Sequence, residues 1–154
     1  MITWYEDEKL KIMFDKEPDV TMIYPLPYYN KEQKKAAIEK PFLNKKDLYV
    51  VINNKTNGLT YSFNIPALYR WDGATIPKVF WRLIGSNTNS EFLIPSMIHD
   101  VICENHDYVN NDRYISTIIL ERLLYCSGVG NFKRWMMKHS VDNYQKLKGK
   151  WKNE

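Results

Sequence analysis

A functional site in this 154-residue sequence would begin at His99-Asp100. Neighbouring side chains on a helix point about 100° apart, so the two would serve one site from two sides rather than pair with each other. An imidazole acting as a general base needs a second acid to hold its tautomer. Asp112 is placed for that role, in the first turn of the next predicted helix and on the side of Ile115 and Ile119. Three readings compete. In one, His99 is a base, Asp112 orients it, and Asp100 positions a cation or water. In another, His99, Cys103 and His106, spaced i, i+4 and i+7, bind a transition metal. That requires the helix to run past Glu104, which Asn105 and Asn110 oppose. In the third, His99 and the acids form a buried hydrogen-bond network that staples helices. Asp72-Gly73 reads as a tight turn whose side-chain oxygen bonds the backbone two residues on. In a functional version, Asp72 lies beside His99, with Thr75 as a polar lip and Trp81 as a wall.

These residues depend on the elements that carry them. Asn30 with Gln33 three residues later is an N-cap signature, Ala36, Ala37 and Ile38 extend a short helix, and Pro41 stops it. Residues 1–30 otherwise read as short strands and irregular loop. Leu48–Ile52 and Leu59–Ile65 are the clearest strands, and the turn-rich bridge 53–58 predicts an antiparallel hairpin. Leu59, Tyr61, Phe63 and Ile65 alternate with Thr60, Ser62 and Asn64, which predicts one buried face. After Pro66, residues 71–77 read as a loop and 78–84 as one or two helical turns between Pro77 and Gly85. Helices follow over 91–104, over 112–127 with Gly128 as the stop, and over 131–147. Strands first and helices second is α+β rather than alternating βαβ.

Apolar residues make up 44% and charged residues 26%, ordinary for a soluble globular chain and wrong for a disordered one. The length suits a single domain. No stretch approaches the ~18 consecutive apolar residues of a membrane span. The N-terminus lacks the basic and then apolar pattern of a signal peptide, which suggests synthesis for the cytosol. Net charge is +4, and residues 131–154 hold seven Lys and Arg against two acids, so the excess is C-terminal. Such a segment suits nucleic acid, anionic lipid, an acidic partner or plain solvation. Lys146, Lys148, Lys150 and Lys152 step by two and scatter around a helix. They read as a flexible basic tail over 149–154, and Trp135 reads as core, so no specific nucleic-acid recognition is expected. Cys103 and Cys126 read as buried free thiols.

The run Asn64-Ile65-Pro66, Trp71 to Lys78, Trp81, Ile98-His99-Asp100, Asn111-Asp112-Arg113 and Leu123 to Gly128 resembles a phage-borne family, domain of unknown function 1353. The resemblance covers about residues 48–148. Asp72, Ala74, Thr75, Ile76, Pro77, His99, Asp100 and Asp112 match its pattern; Val101-Ile102-Cys103 departs from a frequent Leu-Tyr, and the first 45 residues diverge. It implies a bacteriophage or prophage origin and no settled activity. A helix with His-Asp followed by a second helix with Asp is also similar to the core of phospholipase A2. That similarity implies His99 as base, Asp100 as calcium ligand and Asp112 as orienter, without the Gly-rich calcium loop or disulfide framework of that family.

The expected fold is one α+β domain, with N-terminal antiparallel strands packed on a C-terminal bundle of about three to four helices. Residues 1–45 form its divergent N-terminal part, 46–148 the family-like core and 149–154 the tail. The expected function is that of a non-enzymatic phage accessory protein, made in the host cytoplasm and incorporated in the virion or directed at a host protein. The alternative is a phage hydrolase, phospholipase-like or directed at the cell wall, with a His general base. No cofactor is expected for the first; calcium is the expected ion for the second.

Overall fold

Alternation of apolar and polar side chains drives the N-terminal half into strands. The computed structural model describes residues 1–23, 25–73, 92–148 and 151. Strands β1 (Ile2–Glu6), β2 (Leu10–Phe14), β5 (Leu48–Asn54) and β6 (Leu59–Ile65) form an antiparallel sheet in the order β1-β2-β5-β6. Ile12 lies opposite Ile52 and Ile52 opposite Tyr61, while Phe14 lies opposite Val50 and Val50 opposite Phe63. This register stacks the buried side chains of three strands on one face. Leu59 is the exception to the expected pattern: it is 44% exposed, because it pairs with Asn54 at the turn end of the hairpin.

A smaller antiparallel sheet, in the order β3-β4-β7, joins Val20–Met22, Phe42–Asn44 and Arg70–Trp71. Between β3 and β4 runs α1 (Lys31–Glu39), and its start is the expected capping box, with Asn30 and Gln33 bonding each other's backbone N–H. The Arg70 guanidinium closes the other end of α1 by donating to the carbonyls of Ala36 and Lys40. Asn44 Nδ2 ties the two sheets together, donating to the carbonyls of Ile65 and Pro66 at 3.2 and 2.9 Å.

Helices follow the strands, so the fold is α+β as expected. The first of the C-terminal helices, α2 (Leu93–Glu104), begins at Leu93 with Pro95 in its first turn, where the missing N–H leaves no gap in the ladder. Leu93, Met97, Ile98, Val101 and Ile102 are buried, and so are the polar Ser96, His99 and Asp100. A helix covered on nearly every side has no solvent face to which its polar residues can turn. A 3₁₀ turn (His106–Val109) and two left-handed residues, Asn110 and Asn111, link it to α3 (Arg113–Cys126). The α4 helix (Asn131–Lys148) turns Met137, Val141 and Gln145 inward. Cys103 and Cys126 are free thiols as expected, but each is only partly buried, since both stand near the ends of their helices.

Two expectations for the C-terminus fail. Trp135 is not core but 59% exposed, because the inward stripe is taken by Met137, Val141 and Gln145; its ring lies beside Phe132 and His139. The tail is anchored at Trp151, which is buried, stacks on the His106 ring at a centroid distance of 3.7 Å and donates from Nε1 to Gln145 Oε1. Among the described residues no helix is long and apolar enough to cross a membrane. Thr75, Trp81 and the expected helical turns over 78–84 lie outside the described residues.

Candidate functional site

Of the expected site residues, Asp72 and Asp100 lie around one phenol, that of Tyr69, where β7 meets α2. Trp71 Nε1 donates to Ser96 Oγ at 2.9 Å, and Ser96 Oγ donates to the Leu93 carbonyl. This buried pair fixes β7 against the first turn of α2. Gly73 follows with φ +70° and lies against the Phe42 ring, where a Cβ would fall 2.6 Å from Cε2. Only glycine meets both conditions; the expected bond from Asp72 to the backbone two residues on falls at 74, outside the described residues.

One helical turn beyond Ser96, Asp100 lies on the same side of α2, and Glu104 lies one turn further. The Tyr69 hydroxyl donates to Glu104 Oε2 at 3.0 Å, and the Tyr69 ring stacks on Trp71. Burial raises the Tyr69 phenol well above its usual range, and the negative charges of Glu104, Asp100 and Asp72 push it further. Asp72 and Asp100 thus share the surroundings of one phenol that stays protonated. Burial, with help from Asp100 and Glu104, likewise raises the Cys103 thiol.

His99 is fully buried, and burial alone lowers its pKa to about 4. Its polar neighbour is Cys103, whose Sγ lies 3.6 Å from Nδ1 and 3.7 Å from Nε2. The imidazole is therefore neutral at pH 7 with no carboxylate bonded to it among the described residues. Asp112 is engaged elsewhere: it is the N-cap of α3, accepting the Ile115 N–H at 3.1 Å. The His99–Cys103–His106 metal set does not form, because α2 ends at Glu104 and His106 stacks on Trp151. Among the described residues, no group of three or more His, Cys, Asp or Glu side chains is arranged to hold a metal ion. A depression of about 330 Å³ opens at the end of α2, lined in part by Cys103, Glu104 and His106; His99 does not line it.

The described residues thus hold two polar pairs on α2, a neutral imidazole with a protonated thiol and a protonated phenol with the Glu104 carboxylate. Tyr69 and Glu104 were missed in the sequence. The available signal was the i, i+4 spacing of Asp100 and Glu104, together with an aromatic two residues before Trp71.

The family model for proteins of unknown function, DUF1353, matches residues 49–141. The chain belongs to this family. The part shared with the DUF1353 family includes Tyr69, Asp72, His99, Asp100, Glu104 and Asp112. An uncharacterized protein of Sinorhizobium fredii, y4jT, is 38% identical over 88 residues, which are 57% of this chain and 25% of that protein. The chain therefore covers only about a quarter of the length of that relative. No solved structure matches.

Proposed function

We propose that this DUF1353 protein is a non-enzymatic accessory protein of bacteriophage origin, carried in the virion or directed at a host protein, and that it works by docking. The observation that carries this reading is the start of α4, where Phe132 and Trp135 are both more than half exposed and their rings stack at a centroid distance of 6.3 Å. Two exposed aromatic rings displayed side by side suit a contact surface. The basic excess of residues 131–154 suits a protein partner with an acidic face. In this reading the polar residues of α2 hold the fold together. In the hydrolase alternative, His99 is the base, Asp112 its orienter and Asp100 the calcium ligand. The burial of His99 and the capping role of Asp112 count against it.

The test combines Phe132→Ser with Trp135→Ser in the full chain. Co-sedimentation with virions, or crosslinking to a host protein, should be lost while the unfolding midpoint is kept; association that survives overturns the docking surface. Hydrolysis of phospholipid or cell-wall substrates by the wild type, abolished by His99→Gln in a folded protein, would overturn the non-enzymatic reading.

A further inference from the structure

A cavity of about 240 Å³ lies between the β1–β2 turn, the β5–β6 turn and helices α3 and α4, away from the α2 cluster. Three cationic side chains line it, Lys9, Arg122 and Lys138, and among the described residues no carboxylate does, although Asp7 accepts from the backbone N–H groups of the lining residues Lys9 and Leu10. Arg122 is already compensated: its Nε donates to Asp7 Oδ2 at 3.0 Å, and it pairs with Glu121. Lys9 and Lys138 enter no ion pair among the described residues. Lys9, which is exposed, and Lys138, which is half-buried, reach this one volume from different elements, so an anion seated there meets two positive charges at once. Ile115 and Ile118 give the same cavity an apolar wall, and Tyr114 lines it with a phenol while 66% exposed.

We infer that this cavity binds a phosphate monoester, its phosphoryl group between Lys9 and Lys138 and its substituent against Ile115 and Ile118. A phosphoryl dianion matches two point-charge ammonium donors better than a monoanionic carboxylate does. The volume lies below the roughly 300–1,000 Å³ of pockets for drug-sized ligands, so the substituent is small. The chemistry is shared by a soluble ester and by the headgroup of an anionic lipid. Lys138 shares α4 with the docking face, whereas Lys9 lies off that helix, so the Lys9 variant separates this site from docking.

The full-length protein with methyl-labelled isoleucine is titrated with phenyl phosphate at physiological salt. In parallel it is sedimented with phosphatidylcholine vesicles with and without phosphatidic acid. The expected result is saturable shifts of the Ile115 and Ile118 methyls. Lys9→Gln and Lys138→Gln should each weaken binding about tenfold, and Lys34→Gln on α1 should leave it unchanged. If only the phosphatidic acid vesicles bind, and both cavity variants abolish that, the site stands and its ligand is a lipid headgroup. Failure of both probes to bind, or binding that survives both cavity substitutions, overturns the inference.

Discussion

Replacing His99 with glutamine should change the pH dependence of stability in a way no surface histidine would. Burial lowers the His99 pKa from 6.5 to about 4 in the folded protein, whereas in the unfolded chain it takes up a proton near its ordinary value. Between these values the unfolded state binds more protons, so native stability falls as pH falls. The contribution is fully present above about pH 6.5 and gone by about pH 4. A shift of roughly two and a half units corresponds to about 3 kcal/mol, at ~1.4 kcal/mol per unit. Glutamine keeps a polar group at the site and does not titrate. Urea unfolding of both proteins from about pH 7.5 to about pH 4.5 gives the difference directly, and groups common to both cancel. At neutral pH the variant should be less stable by about 1–3 kcal/mol. Below about pH 6.5 the gap should move in the variant's favour by ~1.4 kcal/mol per pH unit. Parallel curves over that range would refute the reasoning, since they would mean that folding does not hold His99 neutral.

Gly73→Ala should destabilise by about 2–4 kcal/mol, because it adds a Cβ at φ +70° and 2.6 Å from the Phe42 ring; an unchanged thermal midpoint would contradict that geometry. Asp112→Ala removes the α3 N-cap and should cost about 1 kcal/mol in denaturant melts. The imidazole NMR signals of His99 should not move in that variant, and a shifted His99 titration would restore Asp112 as its orienter. Burial works to raise the Asp7 carboxyl, but hydrogen bonds from Tyr5, the Lys9 and Leu10 N–H groups and Arg122 outweigh it and hold its pKa at about 2. The stability this gives is fully present above about pH 4 and lost as pH falls towards 2. Asp7→Asn should therefore lower stability at neutral pH and flatten the acid limb of a stability–pH curve.

The elements whose signals are local were legible in the chain. Asn30 and Gln33 announce the start of α1, the alternation around 53–58 announces the β5–β6 hairpin, and the helical spacing of Ile115, Ile119 and Leu123 announces α3. Asp112 shows where such reading stops: an acid before a helical stripe is equally a cap or an orienter, and only the placement of its carboxylate beside the Ile115 N–H decides. Trp135 and Trp151 exchange their expected places for the same kind of reason.

Residue types and short spacings thus determined the order of strands and helices, the α+β class, the membership-bearing motifs and the residues worth examining. Hydrogen bonds and steric limits that act within a few residues are written directly in the chain. The tertiary structure decided that His99 is sealed and neutral, that Tyr69 and Glu104 join Asp72 and Asp100, and that Lys9 and Lys138 line one cavity from opposite ends of the sequence. Burial, the local dielectric and charge proximity depend on what distant segments place over a side chain, and no local pattern encodes that.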